Sequence, residues 1–466
     1  MKEKKSFITE PLGLFGWKNI ESVILAALAT ESPMLLIGKH GSAKSFILER
    51  LAEALNLEFR SYNASLINYD DLVGIPIPID NNTKLDYISN PNSIWDAEVV
   101  FVDEINRTKP ELQNKLFPII YDKRVQGQKL EKLKYRWAAM NPANIDDEDD
   151  DLTYFGASPL DPALADRFPF LIEVPDWTTL SDSDREKMLK DMYLGRHEFK
   201  INIFDLINKT KEEMNNIISK DIDEINKYIL SLMDLLGQSV GYISARRATM
   251  LLDTLISIIA AEKVLKTLDD RDIDFKECAI THILYTIPYI ANKRIDKTLL
   301  INIANQAIKY SKLDNSSAKD IMRITDPIER LKYVIKNKKE LDNSLVCDVI
   351  TSSISKLENP IRRGMALITY LSFRNESNIY ASVMETLANE IRCVLSAKKN
   401  NSLELLEKKK IADKVDALLN KLGKDYKHYQ YLSNLMYSFL PDDYKTADDA
   451  LKLYRFFIDT ASEVNL

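Results

Sequence analysis

A glycine-bearing loop near the start of the chain carries the residue types that bind the phosphates of a nucleotide. The loop consists of Gly38, Lys39, His40, Gly41, Ser42, Ala43, Lys44 and Ser45. An apolar strand, MLLI, leads into it, and the sequence FILERLAEAL after it predicts a helix. Backbone N–H groups of such a loop and the positive end of the helix dipole attract phosphate oxygens. Lys44 adds charge and Ser45 offers a hydroxyl to Mg²⁺, so the loop predicts a nucleoside triphosphate site.

One position departs from the usual pattern G-x-x-x-x-G-K-[ST]. Ala43 stands where a glycine would precede the lysine. Only a positive φ strictly requires glycine, so alanine costs little here provided that its φ is negative. A chance strand–helix turn is the alternative for the loop taken alone. His40 is expected to face solvent rather than to act in catalysis.

Two further apolar runs end in polar residues that suit phosphate chemistry. The run VVFV, typical of a buried parallel strand, ends in Asp103 and Glu104. Asp103 could hold Mg²⁺ through water, and Glu104 could polarise a water that attacks the γ-phosphate; a solvated turn is the alternative. The run YRWAAM ends in Asn141, which is placed to reach the γ-phosphate or that water. Ligands gather at the carboxyl ends of such strands, so the three groups predict one site.

These motifs together resemble the AAA+ superfamily, and within it the MoxR and dynein-related (midasin-like) branch. The resemblance is carried by DEINR at 103–107, a helix with Gln113, a hairpin around Arg124-Val125, MNP at 140–142 and LDPAL-DRF within 160–168. It covers roughly residues 11–290. It implies an α/β P-loop NTPase core, in which helices flank a parallel sheet, followed by a helical lid. An additional all-α C-terminal domain would complete the chain.

The resemblance also implies a role for each matching residue. Lys44 and Ser45 correspond to Walker A, Asp103 and Glu104 to Walker B, Asn141 to sensor 1 and Arg167 to the arginine finger that acts on the neighbouring subunit's nucleotide. The segment GYISARRATM resembles sensor 2, which puts Arg246 on the γ-phosphate side, with Arg247 as the less favoured register. Glu104 is then the base, and Asn63 could pair with it as a regulatory switch.

Phosphate chemistry supports arginines in such roles independently. A trans-acting arginine can raise the rate of phosphoryl transfer by ~10³–10⁵, because it neutralises charge on the equatorial oxygens. Its fork binds phosphate bidentately and does not deprotonate. The alternative for Arg167 is a buried ion pair with Asp166 or Asp161, and for Arg246 a surface position. Arg107 and Arg136 are weaker finger candidates.

Composition bounds the remaining possibilities. The 466 residues carry a formal net charge of −7, which disfavours a broad nucleic-acid surface but leaves a local basic pore loop open. The three cysteines, Cys278, Cys347 and Cys393, lack metal-ligand spacing and suggest buried thiols in a reduced, cytoplasmic protein. The N-terminal sequence lacks the apolar region of a signal peptide, and no uncharged run is long enough for a transmembrane helix.

Breaker residues divide the chain into three predicted domains. Residues 1–178 would form the ATPase core, with one hairpin insert within 69–94 and another around Gly127 whose lysines could line a pore. Residues 179–290 would form the helical lid with sensor 2, and residues 291–466 an all-α domain for partner docking. The acidic run at 146–151 predicts an exposed loop.

The sequence therefore predicts an ATP-hydrolysing, Mg²⁺-dependent MoxR-like remodelling ATPase. It would work on a protein as a homo-oligomeric ring, expected to be a hexamer, and relatives often act with von Willebrand A-type partners. One alternative is the nucleotide-hydrolysing subunit of a nucleic-acid-directed restriction or defence complex. A second alternative is a scaffold that binds nucleotide without turning it over.

Overall fold

The computed structural model divides the chain into two compact units, Met1–Ser311 and Lys312–Leu466, which are described separately. The structure describes the following residues: 5–79, 84–88, 91–108, 110–142, 160–194, 202–241, 243–288, 295–312, 320–321, 324–376, 379–392, 394, 406–439 and 444–466. The acidic run at 146–151 and Cys393 lie outside them.

A five-stranded parallel sheet forms the centre of the first unit. The strands of this unit are β1 (Met34–Ile37), β2 (Phe59–Asn63), β3 (Ile75–Ile79), β4 (Lys84–Ile88), β5 (Val99–Asp103), β6 (Arg124–Val125), β7 (Gln128–Lys129), β8 (Tyr135–Met140) and β9 (Phe170–Glu173). The sheet has the order β2-β5-β8-β1-β9, and each of its neighbouring pairs runs parallel. The strand that leads into the phosphate loop therefore lies between two others. This α/β architecture is the predicted one.

Helices cover both faces of the sheet. They are α1 (Glu21–Ala29), α2 (Lys44–Ala54), α3 (Tyr69–Val73), α4 (Pro110–Asp122), α5 (Pro162–Ala165), α6 (Asp182–Leu194), α7 (Ile203–Lys220), α8 (Ile222–Ser239), α9 (Ala245–Leu268), α10 (Phe275–Thr286) and α11 (Lys297–Ser311). Met34 and Leu36 face a core shared with α1, α2, α7 and α9. Leu35 and Ile37 face the opposite core, shared with α3, α4 and α5. Because both faces are buried, β1 reads as an unbroken apolar run.

A buried carboxylate fastens the N-terminal segment to α1. Glu21 is fully buried, and its side chain accepts hydrogen bonds from the backbone N–H groups of Phe7 (3.0 Å), Ile8 (3.0 Å) and Thr9 (2.7 Å). A buried charge requires such partners, because burial without them costs several kcal/mol. The segment then continues into the core through Leu12 and Trp17.

Two small hairpins interrupt the α/β alternation where the sequence predicts them. In the first, β3 pairs antiparallel with β4, and its end pair, Ile75 and Ile88, is exposed. In the second, β6 pairs antiparallel with β7 around Gly127, whose φ of +84° favours glycine. The predicted contact of these hairpins with a central pore stays a prediction.

The helices after β9 form the region predicted to be a lid. The apolar spacing of α8 predicts one face with Ile222, Ile225, Ile229, Leu232 and Leu236, of which the last four are buried and Ile222 is half-buried. Helix α10 contributes the fully buried His282, whose Nε2 lies 3.1 Å from Oγ1 of Thr254 on α9. Burial lowers the pKa of His282 to about 3, so its imidazole is neutral at physiological pH.

The described part of the second unit is helical, as predicted. Its helices are α12 (Pro327–Lys336), α13 (Asn343–Ser355), α14 (Ile361–Phe373), α15 (Ala381–Glu390), α16 (Leu406–Leu422), α17 (Tyr429–Ser438) and α18 (Ala447–Glu463). The apolar spacing around α15 predicts one face with Val383, Leu387, Ile391, Val394 and Leu395; the first four are buried, and Leu395 lies outside the described residues. Cys347 of this unit and Cys278 of the first are buried free thiols. Among the helices described in either unit, none has the length and apolar character to span a membrane.

Candidate nucleotide site

The phosphate loop connects the end of β1 to the start of α2. A Cβ atom on Gly38 would lie 2.4 Å from Cγ2 of Val174 and 2.9 Å from Oγ of Ser42. Such close approach admits only glycine without displacement of the backbone or of Val174. Gly41 has a φ of +74° and open space around it, so its backbone conformation requires glycine there. The exposed His40 lies between these two glycines, as expected.

Ala43 has the left-handed conformation that the sequence interpretation required it to avoid. Its φ is 59° and its ψ 25°, immediately before α2 begins at Lys44. For a residue with a Cβ atom, this conformation costs roughly 1–2 kcal/mol. Alanine at this position therefore costs free energy. The loop keeps the backbone conformation that favours glycine, and Ala43 is strained in it.

Lys44 turns its side chain back into the loop that precedes it. Its Nζ donates to the carbonyl oxygens of Gly38 (2.8 Å) and Lys39 (2.9 Å), and lies 3.4 Å from Oδ1 of Asn141. Burial lowers the pKa of the Lys44 ammonium, and the carboxylates of Asp103 and Glu104 oppose this shift. The cation thus lies between the loop and the ends of β5 and β8, where the predicted phosphates would bind.

Ser45 and Asp103 meet at the base of the loop. The Ser45 hydroxyl donates to Oδ2 of Asp103 at 3.0 Å. Mg²⁺ prefers oxygen ligands and commonly takes one or two protein groups, with substrate phosphates and waters completing its octahedron. This hydroxyl–carboxylate pair fits that demand. Among the described residues, no group of three or more His, Cys, Asp or Glu side chains forms a metal cage.

Glu104 lies directly after β5, and three side chains surround its carboxylate. Oε1 forms an ion pair with Arg107 at 3.2 Å. Oε2 accepts from Oγ of Ser65 at 3.3 Å and from Nδ2 of Asn63 at 3.5 Å. The backbone of Glu104 is left-handed, with a φ of 52°, which directs the chain away from the strand at this point. The predicted Asn63–Glu104 contact is thus present, and its role as a switch stays a prediction.

Asn141 follows β8, the strand between β1 and β5. The residue is mostly buried, and its backbone carbonyl accepts from Nδ2 of Asn106 at 3.2 Å. Its side-chain oxygen Oδ1 lies 3.4 Å from Nζ of Lys44. The structure therefore brings Lys44, Ser45, Asp103, Glu104 and Asn141 to one edge of the sheet, at the carboxyl ends of its strands.

Arg167 lies apart from this cluster, beside the short helix α5. Its Nη1 donates to the carbonyl oxygen of Ala163 at 2.6 Å, and its guanidinium lies 4.5 Å from the centre of the Phe117 ring. Asp161 caps α5 by accepting from the backbone N–H of Ala163 at 2.7 Å. Asp166 pairs instead with Arg247. Neither carboxylate forms the ion pair that was the alternative for Arg167.

The two arginines of the sensor 2 segment have different environments. Arg247 is 1% exposed, and its guanidinium donates to Asp166 and to the carbonyl oxygens of Ala165, Phe168 and Thr286. Arg246 is exposed, and its guanidinium lies 5.2 Å from the centre of the Tyr121 ring. The less favoured register, Arg247, is therefore committed to the interior, and Arg246 remains the candidate for phosphate.

Of the weaker finger candidates, Arg136 is buried in β8. Its guanidinium donates to three backbone carbonyl oxygens, those of Ile120 (3.0 Å), Glu31 (2.6 Å) and Lys134 (2.7 Å). Burial lowers its pKa to about 10. Its donors thus hold α1, α4 and β8 together. Arg107, the other candidate, is the partner of Glu104.

Sequence reasoning missed the connection between Asp166, Ser244 and Arg247. Ser244 caps α9 by accepting from the backbone N–H of Arg247 at 3.0 Å, and its hydroxyl donates to Asp166 at 2.9 Å. A serine immediately before a predicted helix is a recognisable N-cap candidate, and Ser244 marks the start of α9 in this way. No pattern in the sequence indicated that Asp166 would be the partner of Ser244 and Arg247.

On the other side of the loop, Nζ of Lys39 faces the carboxylate of Asp176 at 3.9 Å. The next residue, Trp177, is 50% exposed, and its ring lies 5.4 Å from the Arg185 guanidinium. The turn after β9 therefore borders the phosphate loop.

The sheet order and the residues at its carboxyl edge define a P-loop NTPase domain of the AAA type. Residues 33–168 match the AAA domain (dynein-related subfamily), so this part of the chain carries a domain of that subfamily. No curated protein matches the chain. One similar solved structure is that of a "putative ATPase" from Cytophaga hutchinsonii, 19% identical. That alignment has a TM-score of 0.46 and covers 64% of this chain and 92% of the other.

Proposed function

We propose that the chain is an ATP-hydrolysing AAA+ remodelling protein of the MoxR-like type. The observation that carries this proposal is the grouping of Lys44, Ser45, Asp103, Glu104 and Asn141 at one edge of the sheet. A phosphate-binding cation, a hydroxyl–carboxylate pair, a base and an amide are the parts that hydrolysis of a nucleoside triphosphate requires.

Each group has a definite task in this proposal. Lys44 and the backbone N–H groups of the loop bind the β- and γ-phosphates. Ser45 and Asp103 would hold Mg²⁺, which neutralises phosphate charge when it is bound. Glu104 accepts a proton from water as the water oxygen bonds to the γ-phosphorus. The bond from that phosphorus to the bridging oxygen breaks, and ADP and phosphate result. Asn141 orients the water or a γ-phosphate oxygen.

The proposed role of Arg167 requires that the enzyme is an oligomer. Its guanidinium lies against Phe117 rather than in the Lys44 cluster, which suits a residue that completes a neighbour's site. We expect a homo-oligomeric ring, with six subunits as the arrangement typical of the branch. Residues 179–290, as the lid, would move against the core during turnover. The all-α residues 291–466 would dock a protein partner, for which a von Willebrand A-type protein is the family-level expectation.

Turnover by the purified full-length chain tests the proposal. Wild-type protein with ATP and Mg²⁺ should release phosphate, whereas Glu104→Gln should bind ATP with a similar dissociation constant and release almost none. Lys44→Ala should lose binding as well, which separates binding from chemistry. Tyr431→Leu, in the second unit, serves as a control that leaves turnover unchanged. Turnover that survives in Glu104→Gln would contradict the mechanism, and wild-type binding without turnover would favour a scaffold.

The nucleic-acid alternative has a different signature. A motor directed to DNA is stimulated by DNA, and its stimulation weakens with salt because phosphate contacts release counterions. With a net charge of −7, we expect phosphate release to be the same with and without duplex DNA at low and moderate salt. Salt-sensitive stimulation would overturn the choice of a protein substrate and leave ATP hydrolysis intact.

A further inference from the structure

Two aromatic side chains on α4 each lie under one of the candidate phosphate-binding arginines. Phe117 and Tyr121 are four residues apart, so they occupy neighbouring positions on one face of the helix. The Arg167 guanidinium lies 4.5 Å from the Phe117 ring centre, and the Arg246 guanidinium lies 5.2 Å from that of Tyr121. Two residues from distant parts of the sequence thus place their cations against neighbouring rings of one helix.

An ion pair between their sequence neighbours explains how both arginines reach α4. Asp166 and Arg247 are the direct neighbours of Arg167 and Arg246 in sequence, and Nε of Arg247 lies 3.0 Å from Oδ1 of Asp166. The inner pair joins the end of α5 to the start of α9. The outer residues, Arg167 and Arg246, each meet a ring of α4.

Helix α4 packs against the core beneath the two arginines. One face of the helix is buried through Leu116, Ile119 and Ile120, Phe117 packs against that core, and Tyr121 is 41% exposed. The core therefore holds the Phe117 ring, while the Tyr121 ring lies at the exposed side of the helix. Arg167 has a second restraint, because its Nη1 donates to the Ala163 carbonyl oxygen at 2.6 Å.

We infer that Phe117 and Tyr121 are positioning residues: Phe117 holds the Arg167 guanidinium, and Tyr121 holds the Arg246 guanidinium, each ready to bind a triphosphate. This inference rests on the proposed ATPase function. A guanidinium that stacks on an aromatic ring uses its face and leaves its in-plane N–H groups directed outward. Those N–H groups are the ones that bind phosphate bidentately. The rings thus restrict the arginine side chains before the nucleotide arrives, which lowers the entropy lost in the transition state.

Removal of each ring with retention of bulk tests the inference. In full-length protein, Phe117→Leu and Tyr121→Leu should each lower kcat for ATP hydrolysis about three- to thirtyfold, the range that cation–π stabilisation allows. The dissociation constant of ATP in the Glu104→Gln background should change less than twofold. Tyr121→Phe keeps the ring and should keep kcat near that of wild type. Tyr431→Leu removes an arginine-stacked ring in the second unit and should have no effect.

A double-variant comparison distinguishes positioning from general damage. If Tyr121 acts through Arg246, Tyr121→Leu should add nothing to Arg246→Ala, whereas independent losses would multiply. Unchanged kcat in both leucine variants, or multiplied losses in the double variant, would overturn the inference. An equal loss in Tyr121→Phe would do the same. An inactive wild-type protein would instead contradict the proposed function, so the two failures are distinguishable.

Discussion

The carboxylate of Asp166 and the buried guanidinium of Arg247 form an ion pair, with 3.0 Å between Oδ1 and Nε. The remaining Arg247 donors reach three backbone carbonyl oxygens, and Ser244 supplies a further hydrogen bond to Asp166. Further hydrogen bonds thus satisfy both members of the pair, which is the condition under which an ion pair is tolerated away from water. It also fixes where α9 begins relative to the end of α5.

Loss of Arg247 should destabilise the first unit far more than loss of its neighbour. Arg247→Ala leaves the Asp166 carboxylate and three carbonyl oxygens without their partner, and we expect the free energy of unfolding to fall by about 3–5 kcal/mol. Arg246→Ala, on the exposed side of the same turn, should cost less than about 1 kcal/mol. Urea unfolding followed by circular dichroism measures both. Equal losses would show that burial of Arg247 is not the cause.

Glycine at position 43 should stabilise the protein. Ala43 has a φ of 59°, and Ala43→Gly removes the steric cost of that conformation, for a gain of about 1 kcal/mol. Ala248→Gly, in the interior of α9, should have the opposite sign because glycine destabilises a helix by about 1 kcal/mol. Thermal unfolding of the nucleotide-free variants provides the comparison. A lower melting temperature for Ala43→Gly would contradict the strain at this position.

Mild acid should destabilise the first unit through His282. Burial lowers the pKa of His282 from 6.5 to about 3, so between these values the unfolded chain binds a proton that the folded chain does not. Stability from this group is complete above about pH 6.5 and declines as the pH falls, by about 2 kcal/mol at pH 5. In His282→Gln, the difference between unfolding free energies at pH 7 and pH 5 should shrink by that amount. An unchanged difference would exclude His282 as the source.

Basal hydrolysis should rise when Asn63 no longer holds Glu104. The Asn63 amide donates to the Glu104 carboxylate at 3.5 Å, which keeps the proposed base occupied. A single hydrogen bond contributes about 0.5–1.5 kcal/mol, so Asn63→Ala should raise turnover without a partner about threefold. Arg60→Ala, on the same strand but outside this contact, is the matched control. A fall in turnover would indicate that Asn63 supports Glu104 rather than restrains it.

The strand ends and the phosphate loop were predictable because short local patterns encode them. Buried parallel strands are continuous apolar runs, and the polar residue that ends each run marks the edge of the sheet. The positions of Asp103 and Asn141 follow from that rule, and the position of Lys44 follows from the loop motif after β1. The helical character of the chain after β9 was likewise visible in the apolar spacing of α8 and α15.

Features that depend on the backbone or on distant partners were not predictable. Ala43 was expected to be harmless if its φ was negative, and no pattern in the sequence reveals the sign of φ at one alanine. Arg246 and Arg247 are adjacent in the sequence. Which of them is buried depends on the contact with Asp166, a residue 81 positions away in the chain. The partners of Arg136 are backbone carbonyl oxygens, which leave no trace in the sequence. The sequence therefore offered no reason to exclude Arg136 as a finger candidate.

The turn after β9 gives the phosphate loop an optical reporter. Asp176 faces Lys39 of the loop, and the indole of Trp177 comes next in the chain with half of its surface in solvent. Trp17 and Trp137, by contrast, are buried in the core, where their emission should be insensitive to events at the loop. Rearrangement of Lys39 on nucleotide binding would therefore change the solvent around one indole, and the intrinsic fluorescence of the unlabelled protein would follow occupancy in real time.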